Sequence, residues 1–132
     1  MSDFLRPGPA DDLSRVSVPG LAHVGDAVFE LMVRTWLCTG GVTTAKNLHK
    51  LAVGRVSAKA QAEAAAFILP LLDEEEHAVF KRGRNTHLST APHGATYEEY
   101  HAATGLEALF GYLYLNGRTQ RLNELFAAII HD

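Results

Sequence analysis

Residues 20–34 read GLAHVGDAVFELMVR, an apolar, helix-patterned run that carries two acids four residues apart near its middle. Leu21, Val24, Val28, Leu31, Met32 and Thr35 recur at the i, i+3, i+4 spacing of one helical face. Phe29, Val33 and Trp36 add apolar surface on a second side, which leaves a narrow polar strip of His23, Asp26, Glu30 and Arg34. This pattern predicts a helix mostly enclosed by neighbours, ending at the Gly40-Gly41 stop. A carboxylate taken out of water costs several kcal/mol unless a cation or hydrogen bonds offset the loss. Asp26 and Glu30 therefore either lie on a solvated stripe, where Glu30 and Arg34 make a favourable i, i+4 pair, or meet something positive.

Helical signals continue outward from this run. Thr43 or Thr44 can cap a second helix with Leu48, Leu51, Ala52 and Val56 as its core stripe. The alanine-rich SAKAQAEAAAFIL follows from Ser57 and stops before Pro70. Asp73-x-x-Glu76 opens EEEHAVFKRGR as a capping box, and Thr96-x-x-Glu99 opens a further helical stretch. That stretch continues through TGLEALFGYLYL to Asn116-Gly117, with Leu106, Leu109, Phe110 and Leu113 as its core stripe. A last helix from about Arg118 to Ile130 presents Leu122, Leu125, Phe126, Ile129 and Ile130. Residues 84–95 form the one substantial loop, and no segment alternates with the period of a strand. The fold class is all-α, with about six or seven helices. Residues 1–17 read as a flexible lead-in and residues 18–132 as one domain.

The chain has 132 residues, 47% apolar and 20% charged, the balance of a globular domain with its own core. No apolar run approaches the roughly 20 residues that span a bilayer, so no membrane is expected. Cys38, the single cysteine, reads as a small buried residue, and a chain with no intrachain disulfide fits a reducing, cytoplasmic setting. The formal net charge of −3 argues against a protein coated in basic charge but leaves a local nucleic-acid site open. The seven histidines are scattered without zinc spacing, and no nucleophile-elbow, phosphate-loop or dinucleotide motif occurs.

Two acids stand out against this background. Glu107 lies at the margin of an apolar helix one turn before Gly111, and Asp26 directly follows Gly25. A glycine inside a helix costs about 1 kcal/mol relative to alanine, so close approach of another helix is the simplest reason for each. Two glycine-flanked acids suggest carboxylates brought together across a helix pair, where a hard cation such as Mg²⁺ or Mn²⁺ would relieve their repulsion. The structural alternative is that Glu107 closes a capping box begun at Thr104 (T-G-L-E). Among the bases, Lys81, Arg82 and Arg84 with Asn85 enter the long loop. They suit either helix termination or phosphate contact.

Taken together, GDAVFELMVR and TGLEALFGYLYLNG resemble the two acidic segments of the ribonuclease III family, and LHKLAVGRVSAKAQA and FKRGRN resemble its middle segments. The resemblance covers roughly residues 20–127 and is closest to the Mini subgroup, which consists of the catalytic domain alone. It implies an all-α endonuclease domain that dimerises through its motif helix around double-stranded RNA. Asp26 and Glu107 are then the metal-binding catalytic carboxylates, with Glu30 and Thr104 in supporting places and Mg²⁺ (or Mn²⁺) as cofactor. Products would carry 5′-phosphates, and the substrate would be the precursor of large-subunit ribosomal RNA, with a ribosomal protein as an accessory partner. Full-length members have further acids where this chain has Ala22 and Thr104, which leaves two matched carboxylates per site. The competing implication is a non-catalytic RNA-binding or ribosome-associated domain of the same fold. Lys81, Arg82, Arg84 and Asn85, with the loop to Ala95, are expected to touch RNA backbone.

Overall fold

The computed structural model describes residues 3–8, 13–86 and 95–131, and these contain six α-helices and no strand. The helices are α1 (Val18–Thr39), α2 (Ala45–Val56), α3 (Ala58–Ile68), α4 (Glu74–Arg84), α5 (Tyr97–Leu115) and α6 (Thr119–Ile130). Short 3₁₀ turns at Leu13–Arg15 and Leu69–Leu71 precede α1 and follow α3. Side-chain oxygens of Ser17, Thr44, Ser57, Asp73 and Thr96 each accept a backbone N–H in the first turn of the helix that follows. Each cap meets donors that the helix itself leaves unpaired. Both expected capping boxes, Asp73 with Glu76 and Thr96 with Glu99, are present. Gly117 closes the turn into α6 with φ of 72°, a left-handed conformation that disfavours a side chain.

Helix α5 is the central rod, with α1, α3 and α4 packed around it. Leu106, Leu109, Phe110 and Leu113 are fully enclosed. Phe29 of α1 meets Phe110 edge-on at 5.4 Å and Phe126 of α6 at 6.0 Å, which ties three helices into one core.

The structure corrects the reading of α1. Its buried line is Leu21, Ala22, Gly25, Phe29, Val33 and Leu37, whereas Leu31 is 59% exposed and Thr35 is open to solvent. Apolar residues lie almost all round this helix, so periodicity could not rank its two apolar sides. Leu51 of α2 and Cys38 at the end of α1 are likewise exposed rather than buried.

One buried ion pair locks α4 to α6. The carboxylate of Glu76 is fully enclosed and accepts from Arg121 Nε at 2.7 Å and Nη2 at 2.8 Å. Nη2 also donates to the Leu71 carbonyl at 2.7 Å. The Arg121 hydrogen bond holds the Glu76 carboxyl below its usual range, against the opposing effect of burial. Arg121→Met strands that carboxylate and is expected to cost about 3 kcal/mol or more at pH 7. A depressed folded pKa contributes stability above the unfolded value and loses it as pH falls through the folded one. The deficit should therefore shrink in acid, and urea titrations at pH 7 and pH 3 would measure both effects.

Candidate active site

The site is built where α1 crosses α5. A Cβ placed on Gly25 would lie 1.6 Å from the Glu107 carbonyl oxygen, and one on Gly111 would lie 1.9 Å from the Leu21 carbonyl oxygen. Neither helix can carry a side chain at its crossing point, so the two backbones touch. Asp26 and Glu107 adjoin those contacts and are brought side by side.

Asp26 is exposed on α1, and Glu107 is half-buried on α5. Burial pushes the Glu107 carboxyl up to about 8, helped by the neighbouring Asp26, with a hydrogen bond from the Gln61 amide opposing the rise. No Lys or Arg is among the groups acting on it. Two adjacent carboxylates with no Lys or Arg paired to them among the described residues present hard oxygen donors, the chemistry that suits Mg²⁺ or Mn²⁺. Among the described residues no third His, Cys, Asp or Glu joins them.

The capping-box alternative for Glu107 does not hold. Helix α5 starts at Tyr97, so Thr104 lies inside it with its hydroxyl donating to the Tyr100 carbonyl at 3.0 Å. Thr104 is buried, and Glu30 faces Arg34 in a half-exposed pair at 2.8 Å. The described hydrogen bonds bring neither Thr104 nor Glu30 onto Asp26 or Glu107.

Lys81, Arg82, Arg84 and Asn85 are all exposed at the end of α4. Between them Gly83 is buried, and a Cβ there would lie 2.7 Å from the Ala108 Cβ and 3.0 Å from the Thr104 carbonyl oxygen. This close seating sets the basic turn level with the stretch of α5 that holds Glu107. The expected RNA contacts of residues 87–94 lie outside the described residues.

Comparison with known proteins decides the lineage. Residues 20–118 match the Ribonuclease III domain family. The chain belongs to the ribonuclease III family. It is 40% identical to Mini-ribonuclease 3 of Clostridium tetani over 91% of this chain and 80% of that one. It is 44% identical to Mini-ribonuclease 3 of Symbiobacterium thermophilum over 82% of this chain and 83% of that one. A crystal structure of a Fusobacterium nucleatum protein superposes with a TM-score of 0.84 at 32% identity, covering 92% of this chain and 98% of that one. The ribonuclease III-type fold expected from the sequence is thus confirmed.

One residue of the site was missed in the sequence. Gln61 is 2% exposed and lies against Glu107, yet within AKAQAEAAAF it reads as one more polar position on an alanine-rich helix. Its only sequence signal is being an uncharged amide between the exposed Lys59 and Glu63.

Proposed function

We propose that the chain is a divalent-metal-dependent endoribonuclease that cleaves double-stranded RNA to products with 5′-phosphates. The observation that carries this reading is the pairing of Asp26 with Glu107 at the glycine crossing, where no cation among the described residues compensates them. Asp26 and Glu107 would hold the cation, and the close contact of α1 with α5 would fix their separation. A divalent cation bound there supplies activation of water and charge neutralisation at the phosphate. Glu107 must give up its proton to act as a ligand, so metal uptake near neutral pH releases a proton. The precursor of large-subunit ribosomal RNA, with a ribosomal protein as accessory, is the substrate context of this reading, which places the chain in the cytoplasm.

Incubation of long double-stranded RNA with MgCl₂ and the wild-type, Asp26→Asn and Glu107→Gln proteins tests the assignment. Cleavage by the wild type alone is expected, and equal cleavage by all three would refute it. RNA binding without cleavage by the wild type would favour a non-catalytic domain, a role that has no need for both acids.

Lys81, Arg82 and Arg84 would meet phosphates of A-form RNA, which is recognised mostly through backbone and shape. Replacing all three with Ala is expected to weaken RNA binding in EDTA and to flatten its log–log salt slope by roughly two to three. An unchanged slope over a NaCl titration would remove them from the interface.

The chain would act as a homodimer through the outer side of α1. Leu31, Met32, Trp36, Phe126 and Ile130 line a shallow apolar depression there, and an exposed leucine at its rim calls for a cover. Sedimentation is expected to give twice the mass of one chain for the wild type. Leu31→Asp should give that of a single chain, because it sets a charge inside the proposed apolar contact.

A further inference from the structure

Gln61 enters α3 one turn after its Ser57 cap and is the one polar side chain of that helix to be buried. Its Nε2 donates to the Val56 carbonyl at 3.1 Å, across the joint between α2 and α3. That bond uses one of two N–H groups, and the amide lies beside the Glu107 carboxyl, whose charged form it favours. Its Oε1 is enclosed and has no hydrogen-bond partner among the described residues. Exchanging the amide nitrogen and oxygen does not resolve this, because Oε1 would then face the Val56 carbonyl, acceptor against acceptor. A buried acceptor left unpaired costs stability, and a methionine of the same length would remove that cost while taking the donor from the Val56 carbonyl. The Val56 bond gives Nε2 a task in folding but leaves Oε1 without one, and the place of the amide beside Glu107 supplies it.

We propose that Gln61 is a positioning residue of the Asp26–Glu107 site: anchored on the Val56 carbonyl, it fixes the direction of the Glu107 carboxylate and offers Oε1 to a water of that site. This inference rests on the reading of Asp26 and Glu107 as the cation-binding pair. It assigns to α3 a part in the site that neither acidic motif contains. Partners that orient a ligand from behind commonly alter metal affinity or activity by about tenfold to a hundredfold.

The test compares wild type, Gln61→Met and Glu107→Gln, with MgCl₂ alone as the first probe. In EDTA, Gln61→Met is expected to melt within a few degrees of the wild type, since the loss of the unpaired acceptor offsets the loss of the donor to Val56. Added MgCl₂ should then raise its melting temperature less than that of the wild type. With double-stranded RNA, kcat should fall about tenfold to a hundredfold while KM stays within about twofold. A purely structural Gln61 predicts unchanged kcat and an unchanged Mg²⁺ response whatever the melting temperature in EDTA, and that result would overturn the proposal.

Should Gln61→Met fail to fold, the side-chain amide protons of Gln61 in the wild type decide the matter by NMR. They are expected to shift on addition of MgCl₂ and to stay put in Glu107→Gln. Resonances unmoved in the wild type would overturn the proposal as well. Failure of the underlying reading looks different, because Glu107→Gln would then cleave like the wild type. Loss of cleavage in Glu107→Gln with an unaltered Gln61→Met would sink the role of Gln61 alone.

Discussion

Glu107→Gln is expected to abolish cleavage and yet to raise the melting temperature of the metal-free protein at pH 8. The two effects share one cause. The Glu107 carboxyl is pushed up to about 8 in the folded chain, from an ordinary carboxyl value of 4.5, because burial and then Asp26 disfavour its charge. Across that window the folded protein keeps a proton that the unfolded chain has released. Stability therefore falls as pH rises from about 4.5 to about 8 and levels off above it. Glutamine has no proton to lose and escapes this fall, which is worth on the order of a few kcal/mol. The gain should amount to several degrees in a chain of this size, and it should vanish near pH 4. Excess MgCl₂ should reverse the ranking, since a ligand that binds only the folded state stabilises only the protein able to hold it. Loss of a ligand should exceed the tenfold to hundredfold typical of groups that merely orient one, so cleavage should drop by more than about 100-fold. Thermal melts at pH 4 and pH 8, with EDTA or MgCl₂, read all of this in one series. A Glu107→Gln protein that melts below wild type at pH 8 in EDTA would show that the carboxyl is not held neutral by its surroundings.

How much of this could be read without the structure depended on what surrounds each residue. Leu106, Leu109, Phe110 and Leu113 were legible as core because α5 is covered on several sides, so each apolar position on its stripe ends up enclosed. The caps at Asp73 and Thr96, and a cap at Thr43 or Thr44, were legible because capping chemistry is local, and the structure selects Thr44. Helix α1 was only half legible. Its two apolar sides look alike in hydropathy, and the choice between Leu31 and Phe29 is made by where α5 lies. The small residues Ala22 and Gly25 on the buried line carried the better signal, since contact distance rather than hydrophobicity selects them. Glu107 could be singled out, but excluding a capping box required the true start of α5 at Tyr97. Gln61 was not legible because its partners, Val56 and Glu107, come from the joint before α3 and from a helix over forty positions on.

Gly25→Ala and Gly111→Ala should be among the most destabilising single substitutions available in this chain, although glycine to alanine usually strengthens a helix. In an exposed helix interior the exchange gains about 1 kcal/mol. Gly54, inside α2, is such a place: a Cβ there has nothing within 4 Å, and Gly54→Ala should gain up to about that much. At Gly25 the new carbon would fall 1.6 Å from the Glu107 carbonyl oxygen and 2.7 Å from the Gly111 nitrogen. At Gly111 it would fall 1.9 Å from the Leu21 carbonyl oxygen and 3.0 Å from the Gly25 nitrogen. Non-bonded carbon contacts are optimal near 3.5–4.0 Å, so α1 and α5 would have to part by well over an ångström. The obstacles are backbone atoms, with no rotamer to turn aside. Overpacking a core commonly costs about 1–3 kcal/mol, and this case should exceed that range and reach about 4 kcal/mol or more. Such a loss is a large fraction of the roughly 5–15 kcal/mol that holds a domain together. Any protein that still folded would hold Asp26 and Glu107 farther apart, so Mg²⁺-dependent cleavage should fall more steeply than stability. Urea titration of the three alanine variants beside wild type checks the ordering, with Gly54→Ala highest and the two crossing-point variants lowest. A Gly25→Ala protein within about 1 kcal/mol of wild type would mean that the helices do not touch where Asp26 meets Glu107.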